Sequence, residues 1–102
     1  MMKYRLLGRS GLRVSELCLG CATFGVNWGP IGSDKEESRR ILDAFVEAGG
    51  NFVDTSNRYQ ESQSEAWLGE LMEGRRDWFV AATKYSLFDQ TGTNNQDPNA
   101  QG

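Results

Sequence analysis

The chain has 102 residues, a formal net charge of −3 and no histidine. Its acidic balance argues against a nucleic-acid binder, which needs a basic patch to neutralise phosphates. The missing imidazole excludes a histidine-ligated metal, a Ser-His-Asp triad and any histidine general base within these residues. Leu, Ile, Val and Phe make up about a fifth of the chain, enough for one small domain, whereas closing an eight-stranded barrel of βα units takes roughly 250 residues.

From the N-terminus, Tyr4-Arg5-Leu6-Leu7 and Leu12-Arg13-Val14 flank the turn cluster Gly8-Arg9-Ser10-Gly11 and predict a β-hairpin. Charges run throughout Met1 to Ser15, so no secretory signal is read there. Leu17 to Thr23 is nearly continuously apolar, the pattern of a strand covered on both faces. A loop marked by Gly25, Gly29, Pro30 and Gly32 follows, and its glycines, proline and Asn27 argue against a membrane span. Ser33-Asp34-Lys35-Glu36 fits a capping box, with Ser33 as the cap. The helix it opens carries an apolar stripe of Ile41, Leu42, Phe45 and Val46, pairs Glu36 with Arg40 on its opposite side, and stops at Gly49-Gly50.

Asn51 to Thr55 predicts the next strand. Ser62-Gln63-Ser64-Glu65 opens a second helix with the stripe Trp67, Leu68, Leu71 and Met72, ended by Gly74. Trp78 to Thr83 predicts a third strand. Residues 1–88 therefore form the structured portion, and 89–102 a polar, disordered tail whose composition cannot build a core. A hairpin followed by β-α-β-α-β implies right-handed crossovers and a parallel sheet.

Cys18 and Cys21 spell C-x-x-C, but strand positions three apart point to opposite faces. The reading is two reduced, packed thiols in a cytoplasmic protein. Gly20 to Gly25 has P-loop spacing, yet Val26-Asn27 stands where Lys and Ser or Thr belong, and Gly25, Gly29 and Gly32 do not spell G-x-G-x-x-G. Those glycines read as loop residues.

The residues that carry chemistry are Asp54 at the end of the second parallel strand, Tyr59 in the loop after it, and Lys84 at the end of the third. Reactive side chains converge at the C-terminal ends of parallel strands, and neighbouring strands lie about 5 Å apart, close enough for Asp54 and Lys84 to pair. A free tyrosine, with a pKa of about 10, is a poor proton donor at neutral pH. An ammonium beside it stabilises the phenolate, and a carboxylate holds the ammonium in place. A phenol so placed can protonate a carbonyl oxygen while a hydride reaches the carbon. Taken singly, each residue also has an ordinary use: loop tyrosines pack, strand-end aspartates cap turns, and terminal lysines are solvated.

Several runs carry a resemblance. Lys3 to Ser15, Leu19 to Gly25 (LGCATFG), Ala48 to Tyr59 (AGGNFVDTSNRY), Ser64 to Met72 (SEAWLGELM) and Phe79 to Tyr85 (FVAATKY) resemble, in order and at family spacing, the first part of aldo-keto reductases. They are closer to the bacterial branch that includes potassium-channel β subunits than to the aldose-reductase branch. The resemblance implies a TIM barrel, here its N-terminal part with the barrel incomplete. It also implies NADPH as cofactor and reduction of aldehydes or ketones.

By resemblance, Tyr59 matches the proton donor, Lys84 the cation that tunes it, and Asp54 both its carboxylate partner and a cofactor contact. Gly20, Cys21 and Ala22 match the first-strand turn beside the nicotinamide, where the family more often shows Thr followed by Met or Trp. The tetrad histidine of the family's fourth strand has no counterpart here. The expectation is a truncated gene whose isolated product is inactive. Expected partners are a small-molecule carbonyl compound, with neither nucleic acid nor membrane; the oligomeric state is open. Two other classes stay open: a non-catalytic regulatory or cofactor-sensing module, and a small flavodoxin-like binding domain.

Overall fold

The computed structural model describes residues 1–85; the polar segment 89–102 lies outside them. Strands β1 (Tyr4–Leu6) and β2 (Arg13–Ser15) form an antiparallel hairpin, with Tyr4 opposite Ser15. Strand β3 (Cys18–Gly20), helix α1 (Lys35–Glu47), β4 (Phe52–Asp54), helix α2 (Gln63–Leu71) and β5 (Val80–Ala82) follow. The last three strands build a parallel sheet in the order β3-β4-β5, each neighbour joined through a helical crossover.

Register aligns Cys18, Phe52 and Val80 in one row, Leu19, Val53 and Ala81 in the next, and Gly20, Asp54 and Ala82 in the last. Because side chains alternate across a strand, the middle row faces the helices. Val53 is fully buried there beside Leu42, Leu68, Leu71, Met72, Phe79, Cys21 and Phe24, with Leu19, Ile41, Phe45, Val46 and Ala81 packed around them. Burying each large apolar side chain of this set contributes about 1.5–3 kcal/mol. The other face of the sheet carries exposed Cys18 and Gly20 and half-buried Phe52 and Asp54.

Four expectations are corrected. The strand read over Leu17 to Thr23 is confined to Cys18–Gly20 and covered on one face only, because its apolar run continues into a turn where the Cys21 N–H bonds the Asp54 carbonyl. The cap of α1 is Asp34, whose side chain accepts from the Glu37 N–H at 2.8 Å. Ser33 is instead held in extended backbone by a bridge to Phe24 and an N–H bond to the Thr23 carbonyl. On the exposed face of α1 the ion pairs run three apart, Glu36 to Arg39 and Glu37 to Arg40. The third strand is shorter than Trp78 to Thr83, since a 3-10 turn at Arg76–Trp78 delivers the chain into it.

The hairpin docks at the N-terminal end of the sheet. Asn51, just before β4, accepts from the Ser15 N–H at 2.7 Å and donates to the Arg13 carbonyl, and the Tyr4 hydroxyl donates to the Gly49 carbonyl at 2.6 Å. Gly49 makes the left-handed turn at φ +95° that ends α1. With one end of the sheet closed in this way, the opposite, C-terminal end is left to carry the site.

Candidate active site

Asp54 ends β4 and Lys84 follows β5 by two residues, so the parallel pairing of these strands sets the two side by side. The Lys84 ammonium donates to both Asp54 carboxylate oxygens at 2.9 Å and to the Thr55 carbonyl at 2.8 Å. These bonds hold the ammonium at the junction of the two strand ends. The same nitrogen lies 4.8 Å from the centre of the Tyr59 ring, within cation–π range. The hydrogen bond to Asp54 holds the Lys84 pKa above its ordinary value, and the Tyr59 side chain adds to that shift. Lys84 is therefore a fixed positive charge across the neutral range.

Beneath this trio lies a buried hydroxyl relay that joins the strand ends. Ser64, on the first turn of α2, donates to the Cys21 carbonyl at 2.6 Å. Its single proton is thereby used, so the Thr55 hydroxyl, 2.9 Å away, donates to the Ser64 oxygen. Both residues are buried, and their bonds tie the end of β3 to the residue that follows Asp54.

A second device was not legible in the sequence. Gln60, directly after Tyr59, is fully buried. Its amide oxygen accepts from the Asn27 and Trp28 N–H groups, both at 2.9 Å, and its amide nitrogen donates to the Ala22 and Ile31 carbonyls at 3.2 and 3.0 Å. The glutamine thus bonds through its whole amide to the β3–α1 loop, and the Asn27 side chain returns a bond to the Gln60 carbonyl. A Cβ at Gly25 would strike the Gln60 side chain, and one at Gly32 the Gly25 carbonyl. Gln60, Glu61 and Ser62 all have positive φ, at 53°, 54° and 78°, a conformation costing about 1–2 kcal/mol for each residue with a side chain. The loop so held presents Trp28 edge-on to Tyr59, ring centres 6.3 Å apart and planes at 79°. A glutamine in a polar stretch gives no periodic signal. Only the glycines at 25 and 32 hint that something packs against that loop.

The turn predicted beside a cofactor is split by the fold. Gly20 is exposed, stands in register with Asp54, and has open space where a side chain would be. Cys21 is buried in the core, its side chain turned away from the open face, and Ala22 is half-buried with its carbonyl bonded to Gln60. Both thiols are free, and Cys18 is exposed, so the expectation of two packed thiols holds for Cys21 alone. Burial pushes the Cys21 pKa up to about 12, and burial is also the main cause of the raised Cys18 pKa. Among the described residues no group of three or more acidic or thiol side chains could hold a metal ion, and no helix is long and apolar enough to cross a membrane.

Residues 16–102 match the model of the aldo/keto reductase family. The chain belongs to that family. It is 52% identical over 87 residues to an NADP(+) aryl-alcohol dehydrogenase of Phanerodontia chrysosporium, covering 80% of this chain and 23% of that protein. It is 48% identical over 98 residues to a norsolorinic acid reductase of Emericella nidulans, covering 91% of this chain and 25% of that one. The chain thus spans about a quarter of the length of these two relatives. Among solved structures, the holo form of an aldo-keto reductase from Bacillus halodurans superposes with a TM-score of 0.77 at 37% identity, over 90% of this chain and 28% of that one. Members of the family are (β/α)8 barrels, and the three parallel strands and two helices are part of such a barrel, with no closed barrel among the described residues. That fold displaces the flavodoxin-like alternative.

Proposed function

We propose that this chain is the segment of an NADPH-dependent carbonyl reductase that carries the proton-transfer machinery, with Tyr59 as proton donor, Lys84 as the cation behind it and Asp54 as the anchor of that cation. The observation that carries the reading is the Lys84 ammonium, tied to Asp54 at 2.9 Å and set 4.8 Å from the centre of the Tyr59 ring. As a proton leaves the phenol for a carbonyl oxygen, negative charge grows on the Tyr59 oxygen, and a fixed ammonium lowers the energy of that charge. Asp54 keeps the ammonium from swinging into solvent.

Gly20 fits the flat end of a cofactor, since a planar ring can lie against backbone that carries no side chain and has open space above it. Asp54 on the neighbouring strand would contact the same end, with Cys21 and Ala22 contributing backbone. When bound, the nicotinamide supplies the hydride. The substrate class that suits the site is a small carbonyl compound with an aromatic or otherwise apolar body. Trp28 stands against Tyr59 and is 40% exposed, and its loop also exposes Val26 and Ile31. The names of the aryl-alcohol and norsolorinic acid enzymes fit that class.

The reading extends to a cytoplasmic protein of the branch that includes potassium-channel β subunits. Its motifs and its likeness to a bacterial structure support that branch, beside curated relatives that are fungal. Having no histidine, the 102 residues alone turn over little or no carbonyl compound. The test is Tyr59→Phe in a complete aldo-keto reductase barrel carrying residues 1–85 of this chain. Carbonyl reduction should fall about 10²–10⁴-fold while NADPH binding, read by fluorescence, is kept. Turnover within a few-fold of the parent would remove Tyr59 from the chemistry.

A further inference from the structure

We infer that Gln60 is a positioning residue for the site: its buried amide holds the β3–α1 loop so that Trp28 stands against Tyr59. The inference rests on the reading of Tyr59 as proton donor, and adds to it what fixes the wall beside that donor. Three observations converge on it. Gln60 is fully buried, and both ends of its amide bond loop backbone, at Ala22, Asn27, Trp28 and Ile31. A core filler needs no such set, and a leucine of similar volume would occupy the space without a hydrogen bond. The backbone that presents it is left-handed for three residues in a row starting at Gln60, and such conformations persist only where the surroundings dictate them.

The third observation is one of order along the chain. Tyr59 and Gln60 are adjacent, so the peptide that carries the phenol also carries the clamp. Trp28 meets that pair twice: its N–H bonds the Gln60 amide oxygen, and its indole packs on the Tyr59 ring. Any shift of the loop is therefore felt first at the phenol.

The experiment uses the full 102-residue chain and nuclear magnetic resonance, so its outcome does not depend on turnover. In the parent, cross-relaxation between Trp28 and Tyr59 ring protons is expected, together with slow exchange of the Asn27 and Trp28 amides. In Gln60→Leu those two amides should exchange roughly tenfold faster or more, as loss of a buried acceptor implies, and the ring contact should vanish. The Cys21 and Thr55 amides, bonded to Asp54 and Ala82, should keep their protection.

Gln60→Glu supplies the conservative rescue. While protonated, the introduced carboxyl still accepts from both amides and can donate to one loop carbonyl; ionised, it faces the Ala22 and Ile31 carbonyls with no proton to offer. The ring contact should therefore be present at acid pH and lost as the introduced group titrates. No Trp28–Tyr59 contact in the parent, or an unchanged contact in Gln60→Leu, would overturn the assignment. So would loss of protection throughout the sheet in both variants, which would make Gln60 a general core residue. Turnover kept in the Tyr59→Phe barrel, with these signals intact in the 102-residue chain, would remove the chemical reading and leave the positioning one.

Discussion

Replacing Lys84 by methionine removes a charge while keeping most of the side-chain volume, and so isolates what the ammonium does. Three hydrogen bonds disappear, two to Asp54 and one to the Thr55 carbonyl. The ion pair is partly open to water, with side-chain exposures of 38% and 36%, so it falls in the range of surface pairs, up to about 1 kcal/mol. The bond from a charged donor to the Thr55 carbonyl adds about 1 kcal/mol. Lys84→Met should therefore destabilise the fold by about 1–2 kcal/mol, and a domain of this size loses about 4–8 °C of Tm per kcal/mol. Thermal unfolding followed by circular dichroism should show a drop of about 4–16 °C at neutral pH.

The pH dependence sharpens this test. The Lys84 pKa is raised above its ordinary 10.5 by Asp54 and Tyr59. A raised pKa in the folded state gives stability that is fully present below the unfolded value and is lost as pH rises through the folded one. The gap between parent and variant should thus stay constant from pH 6 to 9, values chosen well below that pKa, and narrow only above 10.5. A Tm within about 2 °C of the parent, or a gap that narrows near neutrality, would refute the claim that Lys84 is a fixed cation tying two strand ends together.

Two further outcomes follow from the burial of the thiols and the capping of α1. Cys18 is exposed with a raised pKa, whereas Cys21 is fully buried with a pKa pushed to about 12. A maleimide at pH 8 should add one mass increment slowly to the native chain, at Cys18, and a second only in denaturant, and equal labelling of both in the native state would contradict the burial. Asp34→Ala should cost about 1 kcal/mol through loss of the α1 cap, read by denaturant unfolding, while Ser33→Ala should stay within about 0.5 kcal/mol. The reverse order would restore Ser33 as the cap.

Much of the backbone plan was legible in the residues themselves. Gly8 to Gly11 between two apolar stretches gave the hairpin, the stripes Ile41 to Val46 and Trp67 to Met72 gave the helices, although Trp67 is only half-buried and lies outside the core, and short apolar runs gave three strands. These signals are local, because periodicity follows from the geometry of one element. The placement of Asp54 and Lys84 at neighbouring strand ends was legible for a related reason: parallel βα units put all their C-terminal ends on one side.

Cap choice and strand length were less legible. Ser33 and Asp34 are both good cap residues, and which one serves depended on a backbone bond from Ser33 to Thr23, a residue of another segment. The sequence by itself determined the order of elements, the apolar stripes of the helices and the residues proposed for proton transfer. Only the tertiary structure decided how the loops around Tyr59 are held. The amide of Gln60 reaches partners about thirty or more residues away, at Ala22, Asn27, Trp28 and Ile31, and the Ser64 hydroxyl reaches the Cys21 carbonyl. Hydrogen bonds between distant segments leave no period in the chain, since their geometry exists only after the strands have paired.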